Sequence, residues 1–256
     1  MEVKANIKKI INSLLRSQTT DPSLFQCPFC HSESKTLNFV GQDIAVLKKK
    51  QVIGGGLRKA GCLNCNSGDR ERLVYIYLVE LFKITEKPKN LDILHIAPEP
   101  HLSSYLTSLG FSNYIQGDLF AEGYQYANNV SQINVLNIPY PDNHFDLIIC
   151  NHVLEHIEDD IAAMKEIYRV LKENGTAILQ VPISKNSSST FEDFTVTTPE
   201  EREKTFGQSD HLRIYGQDYS QRLHKAGFFI DRTNISEQFK IFGLNRDEDL
   251  FICKKW

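Results

Sequence analysis

The sequence predicts an α/β fold: a mostly parallel, doubly wound sheet behind a small cysteine-bearing module. Three observations predict it. From residue 91 onward, short apolar runs alternate with stretches whose apolar residues recur every three or four positions, the pattern of strands joined by crossover helices. An aspartate, Asp118, follows the second of these runs, at the carboxyl end of a strand where open parallel sheets hold ligands. Upstream, four of the six cysteines form two Cys-x-x-Cys pairs, Cys27/Cys30 and Cys62/Cys65.

The elements follow in order. Val3, Ile7, Ile10 and Leu14 fall at helical spacing, so 1–16 reads as an amphipathic helix and not as the continuous apolar core of a signal peptide. A polar connection with Pro22 leads to the first cysteine pair, and 37–40 is strand-like. The basic stretch 48–61 carries Gly54, Gly55, Gly56 and Gly61 and is expected to be a mobile loop. The second pair opens a helix over 69–84, capped by Ser67 or Asp69, with Leu73, Ile76, Tyr77, Leu81 and Phe82 on one face. Pro88 closes this part, which sets a module over 1–88 and a larger domain over 89–256. Strands are expected at 91–96, 114–117, 133–136, 145–150 and 176–181, with two more at 228–230 and 250–253. Helices are expected at 102–109 (closed by Gly110), at 159–172 with Asp159 as N-cap, and at 217–226. The insertion 184–213 interrupts this alternation and is too long for an ordinary connection.

Composition narrows the function classes. The 256 residues are 41% hydrophobic and 24% charged, with a net charge of −3. That excludes collagen, coiled coil and wholesale disorder, and it advertises no nucleic-acid surface. No run of 18 apolar residues exists, so no membrane span is expected and a cytoplasmic chain is.

In a reducing compartment the two cysteine pairs read as metal ligands. Cys27, Cys30, Cys62 and Cys65 supply four thiolates, enough to close a structural zinc site, with iron as the alternative. Cys150 and Cys253 fall in predicted strands and are expected to be buried thiols. Lys48, Lys49, Lys50, Arg58 and Lys59 would leave room for a nucleic-acid contact, but no row of aromatics accompanies them. The run Asp69-Arg70-Glu71-Arg72 reads as a helix start whose arginines could alternatively reach a cleft.

The segment 137–157, Asn-Ile-Pro-Tyr-Pro-Asp-Asn-His-Phe-Asp-Leu-Ile-Ile-Cys-Asn-His-Val-Leu-Glu-His-Ile, resembles the class I S-adenosylmethionine (SAM)-dependent methyltransferases. The helix end 167–175, Ile-Tyr-Arg-Val-Leu-Lys-Glu-Asn-Gly, is similar to theirs. The resemblance covers about 91–256 and implies a Rossmann-like, seven-stranded, mostly parallel sheet with SAM as cofactor. It places His95, Ala97 and Glu99 under the methionine moiety, Asp118 with Leu119 at the ribose, and Asn134 and Val135 along the adenine. Asn151 and His152 close the pocket. Two departures stand out: the loop 95–101 has no glycine where the family has several, and Asn134 stands where the family has Asp.

The insertion ends in Thr205-Phe206-Gly207-Gln208-Ser209-Asp210-His211-Leu212-Arg213-Ile214-Tyr215-Gly216, similar to a segment of a family subgroup. Methyl transfer to a hydroxyl needs an oriented acceptor and a group that takes its proton. His211 is the expected base, oriented by Asp210 or a neighbour and flanked by Tyr215. Arg213 and His156 are expected to hold an anionic substrate. The resulting reading is a methyltransferase acting on a small polar or anionic metabolite, an O-methylation in surface-polysaccharide or nucleotide-linked sugar or phosphoryl biosynthesis. The partner would be a small molecule, without nucleic acid or membrane. The rivals are an RNA or protein methyltransferase that recognises its target through the zinc module, and a non-enzymatic binding protein that keeps the fold.

Overall fold

The computed structural model describes residues 24–120 and 129–256. The expected helix 1–16 lies outside the described residues.

Seven strands make one sheet: β1 (Asp92–Ile96), β2 (Asn113–Asp118), β3 (Val130–Gln132), β4 (Phe145–Asn151), β5 (Leu171–Gln180), β6 (Phe229–Thr233) and β7 (Leu250–Lys254). Their spatial order is β6-β7-β5-β4-β1-β2-β3. Strand β1 pairs in parallel with β2 and β4, β2 with β3, and β4 with β5. Strand β7 runs antiparallel between β5 and β6. The strand order reverses between β1 and β4, which is where a ligand crevice is expected.

Both faces of the sheet are covered, which is why its central strands read as unbroken apolar runs. Alternate residues serve opposite faces. Leu94, Ile148, Cys150 and Leu179 pack with Met164 and Ile167 of the helix Asp160–Val170. Ile93, Leu147, Ile149 and Ile178 pack with Leu73 of the helix Asp69–Ile76 and Leu102 and Leu106 of the helix Pro100–Ser108. Asp159 caps Asp160–Val170 as expected, accepting from the Ala162 amide. Cys150 and Cys253 are buried thiols, and burial raises both well above the ordinary thiol range. Among the described residues no helix is long and apolar enough to cross a membrane.

Four local expectations are corrected. The third strand is Val130–Gln132, not 133–136. Ile133, Val135 and Ile138 are apolar because they plug the core from a turn, in which Asn134 Oδ1 accepts from the Leu136 amide. The helix after the second cysteine pair is α-helical only over Asp69–Ile76 and continues as a π-helical turn, Tyr77–Leu81. Its cap is Gly68, whose amide donates to Glu71 Oε1; Ser67 faces the sulfurs and Asp69 is held by Arg58. Finally, the glycine-rich stretch is not a free loop. Val52–Ile53 pairs with Ile183–Ser184, and Arg58–Gly61 pairs with Asn38–Val40. Its glycines serve close approach: Gly41 and Gly56 have φ of +79° and +70°, and a Cβ on Gly41 would collide with the Gly56 carbonyl.

The insertion is likewise folded. Phe191–Glu192 pairs with Arg213–Ile214, and the helix Pro199–Phe206 ends at Gly207, φ +93°, where any Cβ would strike Leu47. Residues 41–58 and 199–209 therefore meet over the carboxyl edge of the sheet.

Candidate active site

At that edge lies a cavity of about 700 Å³. The loop after β1 contributes Glu99 and Pro100 to it, and the end of β4 contributes Asn151 and His152. Gly68, Asp69, Arg70 and Glu71 come from the start of the helix that follows the second cysteine pair, and Gln208 and Ser209 from the insertion.

A buried network forms the floor. His95 Nε2 lies 2.8 Å from Glu99 Oε2, its Nδ1 lies 2.8 Å from the Tyr114 hydroxyl, and Asn151 Nδ2 donates to Glu99 Oε1 at 2.9 Å. Burial alone would raise Glu99. The bond and charge of His95 and the Asn151 amide outweigh it and hold the carboxyl below its ordinary range. Ala97 and His152 both adopt positive φ, +49° and +55°. The loop that lacks glycine thus still takes, at Ala97, the left-handed backbone that glycine would adopt, a strain of the kind that collects at ligand sites.

Around this floor sit buried polar atoms without partners: Arg70 Nε, Glu71 Oε2, Asn151 Oδ1 and His152 Nε2. Each such atom costs about 1–3 kcal/mol, so their concentration at one cavity indicates a polar ligand. Neighbouring side chains are satisfied. Arg58 holds Asp69 through two bonds, at 2.8 and 2.6 Å, while Glu71 Oε1 lies 2.9 Å from His101 Nδ1. Glu248 lies behind the cavity wall, in the field of Asp69, Arg70 and Arg58, because β7 runs antiparallel and its leading residues come to the edge where the parallel strands end. Burial and the neighbouring Asp69 raise Glu248 to about 7, against the pull of Arg70 and Arg58.

The other expected residues divide. Asp118 ends β2 with Oδ1 accepting from the Leu119 amide; Leu119 is exposed, and Val135 is buried in the core. Asp210 Oδ2 lies 3.2 Å from His156 Nδ1, so Asp210 orients His156 and not His211. The His211 ring is buried against His156, centroids 4.7 Å apart. Arg213 is not available to an anion. Its buried guanidinium donates to the carbonyls of Leu154, Ile157 and Glu158 and to Glu192. Tyr215 is buried too, its hydroxyl bonded to Asp160 Oδ2 at 2.7 Å and to the Leu154 carbonyl at 3.2 Å. Both brace the turn after β4. Arg70 was visible in sequence as an arginine at a helix start, whereas no sequence signal marked Glu248.

The four cysteines come together as two equivalent knuckles. Cys27 N donates to Ser32 O and Cys62 N to Ser67 O, and His31 and Asn66 both have positive φ at the same place in each turn. Cys27 Sγ lies 3.6 Å from Cys65 Sγ, and Cys30 Sγ 3.6 Å from Cys62 Sγ. Four sulfurs about 2.3 Å from a tetrahedral zinc stand about 3.8 Å apart, so the arrangement fits that ion. Arg72 fastens this module to the rest of the chain, donating to the carbonyls of Ala60, Ser67, Phe242 and Gly243.

Residues 101–179 match the family model described as "Methyltransferase domain". Among curated relatives, an uncharacterized protein of Methanocaldococcus jannaschii, MJ0638, is 41% identical over 66 residues, 25% of this chain and 28% of that protein. The ubiquinone/menaquinone biosynthesis C-methyltransferase UbiE of Shewanella frigidimarina is 43% identical over 54 residues, 20% of this chain and 22% of that protein. These matches span under a third of the relatives' own length. A SAM-dependent methyltransferase from Archaeoglobus fulgidus aligns in structure with a TM-score of 0.45 and 15% identity, over 72% of this chain and 94% of that one.

Proposed function

We propose that the chain is a SAM-dependent methyltransferase in which the acceptor and the methionine end of the cofactor share the cavity over β1 and β4. The observation that carries this reading is the set of unpartnered buried polar atoms at the strand-order reversal of a chain whose residues 101–179 match a methyltransferase-domain model. Asn151, Glu99 and the left-handed Ala97 would hold the methionine end, and Asp118 with Leu119 the ribose. Asn134 and Val135 would flank the adenine. When bound, SAM supplies a methyl group already activated on a sulfonium, so the chain has only to orient an acceptor and take its proton.

His152 suits the proton-accepting role better than His211. Its ring lines the cavity, with Nε2 unpartnered and Nδ1 facing Glu155 Oε1 at 3.4 Å. Arg70 replaces Arg213 as the group for an anionic acceptor, since it lines the cavity with a bare Nε. The cavity has room for a small acceptor beside the cofactor's methionine end. We read the acceptor as an oxygen of a sugar or phosphoryl group in nucleotide-linked or surface-polysaccharide biosynthesis. Cys27, Cys30, Cys62 and Cys65 would hold one structural zinc, which closes all four positions and leaves none for water.

The test is transfer from SAM carrying an isotopic methyl label into separated pools of nucleotide-linked sugars, other small acids, RNA and protein. Label is expected in the small acidic pool. Label in RNA or protein instead would give the function to recognition through the cysteine module, and no label together with no cofactor binding would leave a binding protein.

A further inference from the structure

We propose a second metal site, separate from the cysteines, made of Glu155, His156 and His211. The turn Leu154–His156 after β4 carries the first two, and the insertion supplies the third. One ligand atom from each lies within 4.8 Å of the others. A cation about 2.1 Å from each ligand needs them about 3.0–3.4 Å apart, so binding draws the three side chains together.

The independent observation is a pair of bare atoms. Glu155 Oε2 and His211 Nε2 are buried without any hydrogen-bond partner, in residues only 1% and 4% exposed. A native fold rarely leaves a carboxylate oxygen and an imidazole nitrogen unpaired side by side. A divalent cation satisfies both at once. Asp210 holds His156 Nδ1, the carboxylate–histidine arrangement that fixes the ring of a metal ligand. The backbone is braced as a ligand set requires: Leu212 N donates to Glu155 O at 3.0 Å, and Arg213 ties down the carbonyls of Leu154 and Glu158. His156, whose side chain is 28% exposed, gives the ion a way in.

Two imidazoles and one carboxylate suit a first-row transition ion such as Mn²⁺, Fe²⁺ or Zn²⁺, with positions left open for oxygen ligands. Glu155 Oε1 lies 3.4 Å from His152 Nδ1, which puts the ion beside the cavity. Its open positions would take an oxygen of the acceptor, a hydroxyl or a phosphoryl group. This last step rests on the methyltransferase reading; the cation site does not.

Mn²⁺ is the probe, because thiolate sites discriminate against it. The full chain, with the metal its cysteines carry from purification, is titrated with Mn²⁺. The imidazole resonances are followed in parallel. One Mn²⁺ per chain is expected, with His156, His211 and the adjoining His152 broadened first, at substoichiometric Mn²⁺, before the other histidines. His156→Ala should weaken Mn²⁺ at least about tenfold while S-adenosylhomocysteine affinity is kept. No binding at millimolar Mn²⁺, even broadening of all histidines, or wild-type affinity in His156→Ala would overturn the site. The resonances of the unmodified chain decide the matter even where the variant does not fold. Selective Mn²⁺ binding without S-adenosylhomocysteine binding would sink the methyltransferase reading and leave the cation site standing.

Discussion

Arg213 and Arg70 show what residue type alone conveys. Both are arginines near chemistry-bearing neighbours, and a planar cation that matches an anion is the natural reading of either. The fold spends Arg213 on three backbone carbonyls and Glu192, contacts that brace the turn after β4. Arg70 keeps a bare Nε at the cavity. Arg70→Met should therefore leave the fold intact and weaken binding of an anionic acceptor about ten- to a hundredfold, the worth of a charged hydrogen bond, as read from KM in the transfer assay. Glu248 gives a prediction in pH. Its folded pKa of about 7 stands above the ordinary 4.5, so the folded state keeps a proton that the unfolded state releases. The associated stability is fully present below about pH 4.5 and is lost as pH rises through 7, by up to about 3 kcal/mol. Thermal unfolding of Glu248→Gln should lack that slope, and an unchanged slope would place the titrating group elsewhere.

At the scale of elements, the sequence shows where strands are buried on both faces and fails where an apolar residue has another purpose. Strands β1, β4 and β5 were readable because Ile93, Leu94, Ile148 and Leu179 sit between two helical layers. Strand β3 was not: it is an edge strand of mixed polarity, while the neighbouring apolar Ile133 and Val135 plug the core. The glycines of 54–61 suggested mobility, yet the pairing of Val52–Ile53 with Ile183–Ser184 depends on residues 130 positions away. The cysteine pairs were readable as ligands because their spacing is local, but how the module grips the chain was not, since Arg72 reaches carbonyls at 242 and 243. Arg72→Met should orphan four carbonyls and lower stability by about 2–4 kcal/mol, measured by denaturant unfolding. Chelation should release about one zinc and four titratable thiols per chain, with loss of the tertiary signal from the module. Thiols that stay unreactive, or a Cys27–Cys30 disulfide in reduced protein, would contradict a metal there.

For the whole molecule, the cavity owes its walls to four stretches of chain. The sheet provides Glu99, Asn151 and His152, the segment 40–58 provides Gln42, Leu47 and Arg58, the helix start after Cys65 provides Arg70 and Glu71, and the insertion provides Gln208 and Ser209. The sheet's share is accessible from sequence because strand ends are fixed by topology. The enclosure is tertiary and emerges only when residues 41–58 fold across 199–209. On the methyltransferase reading proposed above, the cofactor would lie along the carboxyl ends of β1, β2 and β4, with Asp118 at its ribose. Calorimetric titration of the full chain with S-adenosylhomocysteine tests this most directly. One site per chain is expected, weakened roughly ten- to a hundredfold by Asp118→Ala through loss of the acceptor for two ribose hydroxyls. No binding by the intact chain, or undiminished affinity in a folded Asp118→Ala, would contradict it.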